Sequence, residues 1–342
     1  MPAPRPRIAV FGAGLIGLHV GGLLAQVADV VLIGRTSRLA ALDAGLRLTD
    51  VDGLNVTVSP GALARATAPE ALAGADLVLV TVKSLGTAEA ATAIAAHAPH
   101  AALVISLQNG VSNADMLRAA LPGRSVLAGM VPYNVAERAP AHLHRGTGGR
   151  IVLEAAPVLD RWLPLFPSAG LDVETSTDIV AVLWGKLLVN LNNAINALSG
   201  LSLMAQLRQR DYRRAWALSL SEGLRLVRAA GIVPADPLPI PLKHMPQILR
   251  LPDALYRHVV SAASAGKAKV DPHARSSMAD DLARGRPTEI DSLQGEIVRL
   301  ANRLNRAAPV NARLIDLVRA AESGAPPIPA AELLRQLRQA RA

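Results

Sequence analysis

The 342-residue chain contains no cysteine, which excludes disulfides, thiolate metal ligands and cysteine nucleophiles and agrees with an intracellular protein. Aromatic residues are scarce, with three Trp, three Tyr and two Phe. That is too few to build the base-stacking platform of a nucleic-acid binder. No stretch approaches the roughly 18 consecutive apolar residues of a membrane helix. The N-terminal MPAPRPR leads straight into a strand pattern with no cleavable apolar segment, so a cytoplasmic protein is expected, without membrane partners. The eight histidines include two close pairs, His97/His100 and His142/His144. Neither pair has carboxylates at metal-site spacing, and no metal is expected.

The composition that remains is 51% hydrophobic and 18% charged, with a net charge of +9. It can bury a large core, and the length suits two domains. The basic residues are spread along the chain, which reads as arginine-rich helices solvating the surface rather than a polyanion interface; no nucleic-acid partner is expected.

From Arg7 to Leu153 short apolar runs alternate with Ala/Leu-rich amphipathic stretches, the rhythm of a parallel sheet covered by helices. Strands are expected at Arg7–Phe11, Val30–Gly34, Asp76–Val82, Ala102–Leu107, Val126–Met130 and Arg150–Leu153, with a tight turn at Asp52–Gly53. Beyond Asp178 the strand signal ends. Helices are expected at Ile179–Leu203, Asp211–Ala230, Ser276–Arg284 and Thr288–Arg306. Six prolines between Val233 and Pro252 predict a long irregular surface connection. The ending SGAPPIPAAELLRQLRQARA predicts a Pro-rich spacer and a frayed basic helix. The expected organisation is therefore an α/β domain over 1–178, a helical domain over 179–325 and a tail over 326–342.

Gly12-Ala13-Gly14-Leu15-Ile16-Gly17 follows an apolar strand and opens a helix. This context makes it a dinucleotide-binding turn. Gly12 permits the turn, Gly14 lets the backbone approach a pyrophosphate, and Gly17 lets the helix pack closely. The second strand ends in Arg35 where an NAD site would carry an acid. A cation there suits a 2′-phosphate, so NADPH/NADP+ is the expected cofactor. Lys83 and Asn109 fall at the carboxyl ends of further strands, where ligands sit in open α/β sheets.

In Trp184-Gly185-Lys186-Leu187-Leu188-Val189-Asn190, Lys186 and Asn190 share one face of an otherwise apolar helix. Asn192, Asn193 and Asn196 follow, and helix propensity does not account for them. Further on, Arg275-Ser276-Ser277-Met278 and Thr288-Glu289-Ile290-Asp291 read as helix starts.

GAGLIG, the Lys-x-x-x-Asn helix, RSSM and TEID in this order resemble the ketopantoate reductase (2-dehydropantoate 2-reductase) family over residues 7 to about 320. The resemblance implies a Rossmann-type doubly wound sheet followed by an all-α domain like that of 6-phosphogluconate dehydrogenase. It also implies NADPH-dependent reduction of 2-dehydropantoate to (R)-pantoate, the small 2-oxo acid being the substrate partner. In that reading Lys186 is the general acid, Asn190 and Ser277 hold substrate, Asn109 lies beside cofactor and substrate, and Glu289 serves the cofactor. The family's second helix asparagine falls here on Ala194. Asn193 lies about 20° round the helix from Lys186 and Asn196 about 80°. Geometry favours Asn193, whereas matching the following Asn-Ala-Leu favours Asn196 with a bulge between. The segment MVPYNVAE also differs from the family's better-known members, leaving open another 2-oxo acid. Competing readings are an opine or 3-hydroxy acid dehydrogenase of the same architecture, or a non-catalytic NADP(H)-binding regulator. An exposed apolar helical half would make a homodimer unsurprising.

Overall fold

Strands made of uninterrupted apolar residues need cover on both faces, and the first half of the chain supplies it. The computed structural model describes residues 5–263 and 274–341 and divides into two units after Ile179. The first unit runs β1 (Arg7–Phe11), α1 (Leu15–Leu24), β2 (Asp29–Ile33), α2 (Thr36–Ala40), β3 (Leu46–Asp50), β4 (Asn55–Val58), β5 (Ala64–Ala66), β6 (Leu77–Val80), α3 (Thr87–His97), β7 (Leu103–Ser106) and α4 (Asn113–Ala120). It continues with β8 (Val126–Met130), β9 (Val135–Ala139), β10 (His142–Arg145), β11 (Ile151–Glu154), α5 (Leu165–Ser168) and β12 (Val173–Ser176).

Eight strands form one sheet in the order β12-β11-β8-β7-β6-β1-β2-β5. The pairs from β8 to β5 are parallel, and β11 lies antiparallel to β8. The chain leaves β1 toward β2 and later returns on its other side as β6, so the strand order reverses beside β1, where open α/β sheets bind ligands. Alternation along β1 feeds two cores: Ile8 and Val10 join the core that includes Leu18 and Leu23 of α1, while Ala9 and Phe11 join the one that includes Ile94 of α3 and Leu117 of α4. The six expected strands are present. The short, half-exposed β5 and β12 carry too few apolar residues to be read from sequence.

The expected Asp52–Gly53 turn joins β3 to β4, with Gly53 at φ +105° and the Asp50 carboxylate accepting from the amides of Asp52 and Leu54 at 2.8 and 2.7 Å. This hairpin belongs to a separate four-stranded sheet, β4-β3-β10-β9.

The second unit is helical: α6 (Ile179–Asn190), α7 (Asn192–Ser199), α8 (Leu203–Arg208), α9 (Arg210–Ala229), α10 (Met245–Arg250), α11 (Asp253–Ala263), α12 (Ser277–Ala283), α13 (Ile290–Arg303), α14 (Pro309–Glu322) and α15 (Ala330–Arg341). The helix expected over Ile179–Leu203 is interrupted at Leu191 and ends at Gly200, which adopts φ +68°. Two expectations are corrected. The proline-rich segment is not an irregular surface loop throughout. Pro246 sits in the first turn of α10, where its missing N–H costs nothing, and α10 buries Met245 and Leu249 while packing along α9. Upstream, the Ala235 amide donates to the Ala181 carbonyl at 2.9 Å, and a Cβ on Gly185 would lie 2.2 Å from the Ala235 carbonyl oxygen. Glycine at 185 is thus the residue that lets this strap cross α6. Nor does the terminal helix fray: Leu333, Leu334 and Leu337 of α15 are buried, and Ile328 ahead of it bonds Leu198 and Tyr212.

Candidate functional site

In the first unit the expected residues gather at the carboxyl ends of four adjacent strands. Gly12 follows β1 with φ +122°, donates to the Ile33 carbonyl at 2.9 Å, and leaves no room for a side chain, because a Cβ would lie 2.6 Å from the Val82 nitrogen. A Cβ on Gly17 would lie 2.0 Å from the Gly12 carbonyl oxygen, so the first turn of α1 rests directly on the glycine turn. Gly14 differs, since the nearest atom to its Cβ position is 3.9 Å away. It borders open space. Ala13 is buried, and its methyl accounts for Gly34, where a Cβ would come within 2.5 Å of it.

No side chain caps α1, and its first turn holds no acid. The amides of Leu15, Ile16 and Gly17 therefore precede the first intrahelical bond, which Leu18 makes to Gly14. Orphan amides at the positive end of a helix dipole fit a pyrophosphate. Arg35, just past β2, is exposed and makes no ion pair among the described residues. Lys83 follows β6, exposed at the head of a short turn. Asn109 follows β7, half-buried, its carbonyl accepting from Ser84 Oγ at 3.2 Å and Asn113 Nδ2 at 2.6 Å.

Several supporting residues escaped the sequence reading. Thr81 Oγ1 donates to the Gly12 carbonyl at 2.7 Å and pins the glycine turn to the end of β6. Arg38 Nε donates to the Ala13 carbonyl at 3.2 Å while its other end pairs with Glu137 at 2.6 Å. Behind Asn109, Gln108 Nε2 donates to the Val82 carbonyl at 3.0 Å and Thr87 Oγ1 at 2.8 Å, and Thr87 donates to Asn113 Oδ1 at 2.9 Å. These bonds lock the loops after β6 and β7 to each other. The one available signal was an amide beside Asn109 at a strand end, where a buried amide must find partners.

In the second unit Lys186, Val189, Asn190 and Asn193 form a half-exposed stripe, while the intervening Leu187, Leu188 and Leu191 are buried. Desolvation pushes the Lys186 ammonium down from 10.5 to about 8. The other amides point inward. Asn192 and Gln206 exchange two side-chain bonds at 3.2 and 3.0 Å. Asn196 is fully buried, donating to the Leu201 carbonyl at 3.0 Å and accepting from the Ser276 amide at 2.9 Å. The helix is interrupted at Leu191, yet this does not turn Asn196 outward. Ser276 caps α12 through the Ala279 amide at 3.2 Å and touches the Asn193 carbonyl at 3.3 Å, leaving Ser277 exposed beside it. Glu289 is half-buried at the head of α13, after Thr288, whose amide donates to Glu322 at 2.7 Å.

Tyr133 of MVPYNVAE is a core residue, its ring edge-on to buried His19 of α1 at 5.4 Å. Among the described residues no three His, Asp or Glu side chains could hold a metal, and no helix is long and apolar enough to cross a membrane.

Two family models match the chain: Ketopantoate reductase PanE/ApbA over residues 8–157 and Ketopantoate reductase PanE/ApbA C terminal over residues 178–322. The 2-dehydropantoate 2-reductase of Halobacterium salinarum is 31% identical over 92% of this chain and 99% of its own length. That of Pyrococcus abyssi is 29% identical over 93% and 98%. Among solved structures, the PanE/ApbA family ketopantoate reductase from Ralstonia eutropha is 33% identical, with a TM-score of 0.75 over 93% of this chain and 98% of that one.

Proposed function

Since this chain belongs to the ketopantoate reductase family, we propose that it reduces 2-dehydropantoate to (R)-pantoate with NADPH, Lys186 acting as general acid. The observation that carries this reading is Lys186 itself: a desolvated lysine lowered to about 8, in one partly exposed stripe with Asn190 of α6 and Asn193 of α7.

The cofactor fits the uncapped start of α1. The amides of Leu15, Ile16 and Gly17 would hold its pyrophosphate, with Gly14 allowing close approach. Arg35 would take the 2′-phosphate, and Lys83, Asn109 and Glu289 would contact the rest. When bound, the nicotinamide supplies a hydride to the ketone carbon. The Lys186 ammonium neutralises charge growing on the carbonyl oxygen and delivers its proton there. A lysine near 8 is still mostly protonated at neutral pH yet gives up its proton more readily than one at 10.5. Asn190, Asn193 and Ser277 fix the substrate's hydroxyl and carboxylate, so that one face of the carbonyl meets the hydride. Asn196, spent on two backbone groups of its own unit, holds the helix in place rather than the substrate.

The test is loss of NADPH absorbance on adding 2-dehydropantoate, with NADH, pyruvate and 2-oxoisovalerate as comparisons and Arg35→Ala alongside. NADPH-specific turnover is expected, with the Arg35 variant raising the KM for NADPH about tenfold and leaving that for NADH unchanged. Turnover of pyruvate or 2-oxoisovalerate alone would discard the pantoate assignment. Equal use of NADH and NADPH would discard the role of Arg35.

A further inference from the structure

Some of the arginines that look evenly spread in the sequence converge in the fold. Arg214 of α9, Arg250 of α10, and Arg338 and Arg341 of α15 line one hollow of about 520 Å³ together with Leu218 and Leu334. A second hollow of about 330 Å³ shares Arg214, Leu334 and Arg338 with it and adds Asp211, Arg335 and Gln339. Both lie wholly in the second unit, lined by residues of α9, α10 and α15.

Among the described residues, carboxylates are too few to balance these cations. Asp211 pairs with Arg214 at 3.3 Å, and Glu332 is taken by Arg335 at 2.5 Å. Among the described residues Arg250, Arg338 and Arg341 have no ion pair; the Arg250 guanidinium donates to Ser221 Oγ at 3.1 Å. Like charges facing one space are costly unless an anion joins them. The guanidinium of Arg250 is pushed below its ordinary value by burial first, then by Arg341 and Arg214. The volume lies in the range of small-molecule sites. Guanidinium forks also match phosphate oxygens two at a time. The family match ends at residue 322, ahead of α15, so half of the four arginines come from a segment beyond it.

We propose that this hollow is an anion site for a small molecule carrying two or more phosphates, separate from the residues assigned to the reductase reaction. The two hollows share Arg214, Leu334 and Arg338, which suits an oligophosphate that contacts both rather than a single phosphate.

Inorganic tripolyphosphate is the probe, titrated calorimetrically into the full chain already saturated with NADPH, against orthophosphate and a short DNA duplex. Saturable binding of tripolyphosphate at one per chain is expected, weakening steeply with salt, with orthophosphate much weaker. Arg338→Gln and Arg250→Gln should each weaken it about tenfold, while the KM for NADPH stays unchanged. Arg338 is exposed, so its variant keeps the test valid should Arg250→Gln fail to fold. Absence of saturable binding, binding unaffected by both substitutions, or binding of the duplex without tripolyphosphate would overturn the proposal. Because binding is read independently of turnover, failure of the reductase assignment would leave this result standing.

Discussion

His19 on α1 and Lys186 on α6 are both basic side chains on helices, and burial pushes both down, His19 to about 4 and Lys186 to about 8. Their surroundings differ. His19 is closed in, packed edge-on against Tyr133, and neither ring nitrogen has a hydrogen-bond partner. Lys186 is desolvated yet retains partial exposure, as do Asn190 and Asn193 beside it in the stripe. A depressed pKa therefore does not by itself mark a site; access and the company of groups that could hold a ligand do. The same division runs through the asparagines. Asn190 and Asn193 remain on the stripe, whereas Asn192 and Asn196 bond within the unit.

The sharpest way to break this contrast is Lys186→Met. Turnover should fall about a thousandfold, while stability at neutral pH should rise by about 1–3 kcal/mol because a desolvated ammonium is removed. The folded-state pKa lies below the ordinary 10.5, so the unfolded chain holds more protons between pH 8 and 10.5. Wild-type stability should then climb with pH through that window and the variant's should not. Thermal unfolding at pH 7 and 10 reads this, and a variant less stable at both would contradict the assignment. Kinetics add a second reading, with kcat declining as pH passes about 8.

Next in size is the glycine turn. Gly17→Ala would place a methyl 2.0 Å from the Gly12 carbonyl oxygen, and should cost about 3 kcal/mol or more of stability. Gly14→Ala meets no atom within 3.9 Å. It should fold normally and weaken NADPH binding about tenfold, measured by cofactor fluorescence. Equal losses of stability in the two would show that Gly14 serves packing alone.

Among the amides, Asn196→Ala should lower stability by about 2 kcal/mol by orphaning the Ser276 amide and the Leu201 carbonyl, leaving KM for the oxo acid unchanged. Asn193→Ala should do the reverse, raising KM severalfold with an unchanged melting temperature. The smallest effect concerns His19. Its folded pKa lies below 6.5, so the unfolded chain takes up the proton first on acidification. Stability is lost as pH falls below 6.5, about 1–2 kcal/mol by pH 5. His19→Leu should flatten that slope; an unchanged slope would place the acid sensitivity elsewhere.

The sequence made the parallel sheet and glycine turn legible because both are enforced locally, by apolar runs and by backbone conformations open only to glycine. Gly34 was not legible as a steric requirement, because the methyl that demands it comes from Ala13, twenty-one positions away. The Lys186 stripe followed from helical periodicity. The fate of Asn196 did not, because it is decided by Ser276, eighty residues later in the chain. The proline-rich segment misled for a related reason: proline reads as a breaker, but at the first turn of α10 it starts a helix.

Gly185 and the strap that crosses it have one further consequence. The Ala235 carbonyl occupies the space where a side chain at 185 would stand, and the adjoining amide clasps Ala181 one turn earlier. A peg and a clasp on the same helix fix its rotation as well as its position. The azimuth of Lys186, the very next residue, is thus set from behind by a segment of no catalytic chemistry, and any thickening at 185 would act as a shim that turns the lysine off its bearing.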